Sequence, residues 1–166
     1  MEDNLVENVL KVCEALKKHN VAYLIVGCTA LAFHGHYRMS RMPTGLLADK
    51  HDFDFWYNPN YENYFNLLNA LEELGINVTK FRNEQAPNPK KSFFTHEFED
   101  FKVDFLPEIL GLDKFNISFS AKSVSVINGI EIYILSKEDL IKSKETTARK
   151  TDLDDINELR ALDDNN

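Results

Sequence analysis

Apolar residues at Leu5, Val9, Val12, Cys13 and Leu16 recur every three or four positions, a spacing that predicts an amphipathic helix over 5–16, closed near Asn20. Tyr23, Leu24, Ile25 and Val26 follow as an unbroken apolar run, the pattern of a strand covered on both faces. Gly27 lets the chain turn, and Ala30, Leu31, Ala32 and Phe33 predict a short buried helix over 29–34, ended by Gly35. Residues 38–50 carry no period and include Pro43 and Gly45, so they read as a long loop. Alternation returns at 52–57, where Phe53, Phe55 and Tyr57 share one face of a strand and Asp52 and Asp54 the other.

Asn58-Pro59 then marks a helix start, and Tyr61, Tyr64, Phe65, Leu68, Leu71 and Leu74 form the apolar face of a helix ended by Gly75. A strand over 77–81, a loop over 82–91 and a hairpin with arms at 93–98 and 101–106 are expected next. In the second arm Val103 and Phe105 face one way, and Lys102, Asp104 and Leu106 the other. After a loop rich in Asn and Ser, Asn128-Gly129 between 123–127 and 130–135 is a strong hairpin signal. Ser136-Lys137-Glu138-Asp139 is a capping box that opens a helix through about residue 149. Leu153, Ile156, Leu159 and Leu162 give the stripe of a terminal helix, with 163–166 expected to fray. The elements predict an α/β (α+β) fold, a mixed sheet flanked by helices, in a single domain over 1–166 with its core at about 21–135 and C-terminal helices at about 136–162.

Charge narrows the partners. A formal net charge of −8 over 166 residues opposes indiscriminate binding to nucleic acid or to anionic membranes. No run approaches the ~20 apolar residues of a membrane span, and the acidic opening Met1-Glu2-Asp3-Asn4 differs from a secretory signal, so a cytoplasmic protein with no membrane partner is expected. Cys13 and Cys28 belong to no CxxC pair and read as reduced thiols.

Asp52 and Asp54 carry the chemistry. Two like charges side by side on a half-buried strand are costly unless a positive group lies between them. A divalent cation is the simplest such group, and Mg²⁺ held by one or two carboxylates usually arrives with a phosphate substrate. A metal-dependent reaction on a nucleotide is therefore the first expectation. Asp104 is a third carboxylate within a strand, although a hairpin register shifted by one residue would give its place to Glu97, Glu99 or Asp100. His34, His36 and His51 with Cys28 have no recognised zinc-ligand spacing and read instead as helix-end and loop residues.

An apolar strand ending in Gly27, a short helix, the strand with Asp52-Phe53-Asp54 and a later strand with Asp104 together resemble the minimal nucleotidyltransferase superfamily, related to DNA polymerase beta. The chain is most similar to a small bacterial and archaeal branch that includes toxin and antitoxin components. The likeness lies in His34-Gly35-His36-Tyr37-Arg38, in Asp52-Phe53-Asp54-Phe55-Trp56, in the run from Leu135-Ser136 through Lys144, and in Asp152-Leu153-Asp154-Asp155. It implies transfer of a nucleoside monophosphate from a nucleoside triphosphate such as ATP to a hydroxyl, with release of pyrophosphate. Asp52, Asp54 and Asp104 would be the catalytic and metal-binding residues, holding Mg²⁺ (or Mn²⁺), with Asp104 also a base for the attacking hydroxyl. Gly27 and Cys28 would line the phosphate turn, Cys28 standing where a second Gly or a Ser is usual, and Arg38 and Lys144 would reach the nucleotide. The acceptor is a small molecule, a tRNA end or a protein. The alternative is a non-catalytic nucleotide-binding or protein-interaction module, such as a toxin-antitoxin component, that retains the fold.

Overall fold

Leu5, Val9, Val12, Cys13 and Leu16 form the buried stripe of α1 (Asp3–Lys18), the element that the helical spacing predicts. A computed structural model describes residues 3–164. Asn20 adopts a left-handed φ of 54° just beyond the helix, and the chain enters β1 (Tyr23–Val26), whose four side chains are all buried. β1 lies inside a six-stranded sheet of order β3-β4-β2-β1-β6-β5, in which the other strands are β2 (His51–Tyr57), β3 (Phe94–Glu97), β4 (Phe101–Leu106), β5 (Ser123–Ile127) and β6 (Ile130–Ile134). The sheet is mixed: β1 runs antiparallel to β2 and parallel to β6, and β2 runs parallel to β4. The β3/β4 and β5/β6 pairs are the two expected hairpins.

Aromatic pairs pin the register of β2 against β4. Phe55 stacks on Phe105 with centroids 5.0 Å apart, and Phe53 meets Phe101 at 5.2 Å. Such contacts contribute about 0.5–1.5 kcal/mol each beyond burial, and a slip by one residue would forfeit them and turn every side chain over. On the reverse face the same strand carries Asp52, Asp54 and then Trp56, whose indole donates to the Pro107 carbonyl at 3.1 Å. On β2 this face is thus polar only at Asp52 and Asp54.

The helices follow the chain closely. α2 (Gly27–Phe33) leaves β1 without a loop, and α3 (Tyr61–Glu73) starts at Asn60, whose side chain accepts from the Asn63 amide. Asn63 in turn hydrogen-bonds both the amide and the carbonyl of Ala22, tying α3 to the entrance of β1. α6 (Lys137–Thr147) opens with the Ser136 side chain accepting from the Asp139 amide, as the capping box predicts.

Three local expectations give way. The strand expected over 77–81 is absent: the Asn77 side chain accepts from the Thr79 amide and starts a one-turn helix, α4 (Thr79–Arg82). Phe115 and Phe119, one turn apart and stacked at 5.3 Å, form α5 (Phe115–Ser120) in the segment that reads as a loop. α7 (Lys150–Asp164) buries only part of the expected stripe, at Ile156 and Leu159. Leu153 is 49% exposed, while Asp152 and Asp155 are buried beside Ile156 and Leu159. The helix also continues to Asp164, into the stretch expected to fray; residues 165 and 166 lie outside the described residues.

Candidate nucleotide and metal site

Parallel pairing of β2 with β4 sets Asp54 directly opposite Asp104 and Asp52 opposite Lys102. Alternation turns Asp52, Asp54 and Asp104 to one face, where a carboxylate oxygen of each lies within 4.8 Å of the others. Among the described residues this is the one His, Cys, Asp or Glu cluster with metal-site geometry. Of the carboxylates that the sequence left open, Glu97 instead pairs with Lys50 at 2.8 Å, and Glu99 and Asp100 are exposed at the β3/β4 turn. The histidines also find other partners: the His34 ring is 2.7 Å from the Leu135 carbonyl, and His36 is 3.8 Å from Glu158.

The three carboxylates are poorly satisfied by protein. Asp52 Oδ1 and Asp104 Oδ1 are buried with no hydrogen-bond partner. Burial, and then the charges of Asp52 and Asp104, push the Asp54 carboxyl up to about 8. Asp52 is raised as well, by burial and by Asp104. The cation paired with the cluster among the described residues is Lys102, whose Nζ stands 3.4 Å from Asp104 Oδ2. Oxygen-only donors with unpartnered lone pairs suit a hard divalent cation such as Mg²⁺ or Mn²⁺, so the residues present fit that group.

Gly27 closes on this cluster from β1. Its backbone has a left-handed φ of +62°, and a Cβ at this position would lie 2.5 Å from Asp54 Oδ2. Glycine is therefore required twice, for the turn and for the close approach. A cavity of about 280 Å³ opens between Gly27, Asp54, Leu106, Leu140, Lys144 and Arg149. Cys28 lies on the other side of the pair, half-buried in a small recess that it shares with Arg38 and Asp52.

Arg38 and Lys144 are both engaged by α7. The Arg38 guanidinium donates two 2.6 Å bonds to the Asp155 carboxylate, and buried Lys144 reaches the same carboxylate at 2.7 Å and Asp152 at 3.8 Å. Arg41, the neighbouring loop arginine, donates to the Gly45 carbonyl. The structure thus gathers Gly27, Asp54 and Lys144 around one cavity and leaves Arg38 as the bracket that fastens the 38–50 loop to α7. Asp152 and Asp155 complete this charged layer, and in the sequence they stand only within the Asp152-Leu153-Asp154-Asp155 motif of the resemblance, with no role attached; Lys102, beside Asp104, was given none either. The available signal was the i, i+3 spacing of Asp152 and Asp155, which reads equally as a helix cap.

Burial pushes Asp152 up, but hydrogen bonds from the Arg149 side chain, the Thr147 hydroxyl and the Arg149 amide outweigh it and bring the carboxyl down to about 2. A carboxylate lowered on folding stabilises the protein above its unfolded value and loses that contribution as pH falls through the folded one. Acid titration of the fold is expected to show a loss on the order of 1–2 kcal/mol between about pH 4 and pH 2 that is missing in Asp152→Asn, measured as urea midpoints at each pH.

By sequence, no family model and no curated protein matches the chain. Solved structures do match. The chain aligns over 98% of its length with 85% of the antibiotic-resistance factor ANT(2'')-Ia, at 18% identity and a TM-score of 0.58. It aligns over 98% of its length with 98% of the lincosamide antibiotic adenylyltransferase LnuA, solved with lincomycin bound, at 16% identity and a TM-score of 0.57. A Thermotoga maritima protein assigned as a nucleotidyltransferase covers the whole chain, which spans 97% of it, at 18% identity and a TM-score of 0.59. The protein has the nucleotidyltransferase fold, with the mixed sheet and flanking helices that the sequence resemblance implies.

Proposed function

We propose that the protein is a metal-dependent nucleotidyltransferase, moving a nucleoside monophosphate from a nucleoside triphosphate to a hydroxyl acceptor with release of pyrophosphate. The observation that carries this reading is the meeting of Asp52, Asp54 and Asp104, with Asp54 on the wall of a cavity that Lys144 and Arg149 also line. Asp52, Asp54 and Asp104 would hold Mg²⁺ (or Mn²⁺), which when bound supplies neutralisation of the charge that builds on the phosphoryl oxygens.

The remaining work falls to the chain. The acceptor hydroxyl forms a bond to the α-phosphorus, the bond from that phosphorus to the β-bridging oxygen breaks, and Asp104 takes the hydroxyl proton. Lys144 and Arg149 line the cavity wall paired with Asp155 and Asp152, and together with Arg38 they leave this group one positive charge in excess, suited to the leaving pyrophosphate. Gly27, and Cys28 after it, keep the β1 to α2 turn close enough for backbone to approach the phosphates. The apolar wall of Leu106, Ile109 and Leu140 suits the uncharged part of the nucleotide.

The two antibiotic-linked neighbours make a small hydroxylated molecule the first acceptor to test, before a tRNA end or a protein. Purified protein with ATP, CTP, GTP or UTP labelled at the α-phosphate, Mn²⁺ and acceptor pools should yield a labelled acceptor and free pyrophosphate. Label that enters product from the γ-phosphate instead would contradict nucleotidyl transfer. A non-catalytic module, including a partner-binding component of a toxin-antitoxin pair, is favoured by one observation: Arg38 and Lys144 are already neutralised by Asp155. Metal-dependent nucleotide binding without any labelled product would support it.

Gly27→Ala tests the close approach. The added methyl meets Asp54 Oδ2 and the backbone is left-handed, so the carboxylate must shift. Mn²⁺ affinity is expected to fall at least roughly tenfold, with about 1–2 kcal/mol lost in stability, read by Mn²⁺ titration and thermal melting.

A further inference from the structure

Lys102 is the one cation in an ion pair with the carboxylate cluster among the described residues, Lys144 acting on Asp54 only from farther off, and no step of the proposed reaction uses it. It lies directly opposite Asp52 in the β2/β4 pair and shares a face with Asp104 two residues along β4. Its neighbour across the other side, Glu97, is engaged by Lys50 at 2.8 Å, and the ion pair that Lys102 makes among the described residues is with Asp104.

The contact is loose. At 3.4 Å from Asp104 Oδ2 it exceeds the ~2.8 Å of a strong charge-assisted bond, and the side chain is 40% exposed. Asp52 Oδ1 and Asp104 Oδ1 stay unpartnered beside it. An ammonium on a flexible four-carbon stem can neutralise part of the local charge and still withdraw to water, as a buried bidentate guanidinium would not.

We propose that Lys102 is a resident counter-ion of the triad, holding the carboxylates together when no divalent cation is bound and competing with that cation for the same site. This rests on the metal-binding reading above. Removal of the lysine then has opposite effects on the two states: the metal-free triad loses its paired cation, and an arriving cation meets no ammonium.

Wild type, Lys102→Met, Lys102→Gln, Lys102→Arg and Asp52→Asn are compared at one pH and salt concentration, by calorimetric Mn²⁺ titration and by melting in chelator and in saturating Mn²⁺. Lys102→Met and Lys102→Gln are expected to bind Mn²⁺ roughly tenfold more tightly than wild type and to melt several degrees lower in chelator, with the gap closing in Mn²⁺. Lys102→Arg should keep the chelator melting point. A Lys102→Gln protein with unchanged or weaker Mn²⁺ affinity, where wild-type binding depends on Asp52, overturns the counter-ion role and leaves the metal site standing. Wild-type protein that binds no Mn²⁺ through Asp52 overturns both.

Discussion

Asp54→Asn is expected to lower nucleotidyl transfer by roughly a thousandfold or more while raising the stability of the metal-free protein by about 1–3 kcal/mol. The two effects have one origin. Asp54 lies beside Asp52 and Asp104 and faces Gly27 at close range, and burial with those two like charges outweighs the pull of Lys102 and Lys144, so the metal-free fold must either carry a poorly compensated charge there or take up a proton. A neutral amide of the same shape removes the repulsion and with it the central cation ligand. For a chain of this size the gain corresponds to roughly 3–8 °C in melting temperature in chelator. Asp100→Asn, at an exposed turn, should change neither quantity. A destabilised Asp54→Asn would mean that the carboxylate supports the fold and that its burial has a structural reason.

Asp155→Ala should be the most destabilising single change in the charged layer, costing about 3–5 kcal/mol. Asp155 is the common partner of Arg38 and Lys144, and its side chain is 1% exposed. Burial raises its carboxyl, but the hydrogen bonds from Arg38 and Lys144 prevail and hold it below the usual carboxylate range. Removing it strands two cations in a confined space and unfastens the 38–50 loop from α7. Urea denaturation of Asp155→Ala should show the loss, and adding Lys144→Met to Asp155→Ala should recover part of it, because one of the stranded charges is then gone. If the double variant is no more stable than the single one, the pair is not coupled as the geometry indicates.

Much of this was legible in the pattern of residues because the strands are governed by alternation. Phe53, Phe55, Val103 and Phe105 on one face fix Asp52, Asp54 and Asp104 on the other, and the order of strands with Gly27 before the aspartates carries the resemblance. The pairing of Asp54 with Asp104 was not legible, since parallel strands joined by a long connection leave no local mark of their register. The network on α7 escaped for a different reason. Leu153 has the spacing of a core residue, yet Arg38 from a distant loop, Lys144 from the preceding helix and Arg149 beside the start of α7 make it cheaper to bury Asp152 and Asp155. The short helices α4 and α5 depend on an Asn77 turn and a Phe115–Phe119 contact, too local to produce a period.

The central claim is that Asp52, Asp54 and Asp104 hold a divalent cation beside a nucleotide. Co-crystallisation with Mn²⁺ and a triphosphate whose α,β-bridge cannot be cleaved, with data collected at the manganese edge, tests it most directly. Anomalous density in contact with carboxylate oxygens of Asp52 and Asp54, with the triphosphate in the Gly27 to Lys144 cavity, is the predicted result. Manganese bound elsewhere while the three carboxylates stay unligated and the cavity holds no nucleotide would contradict it.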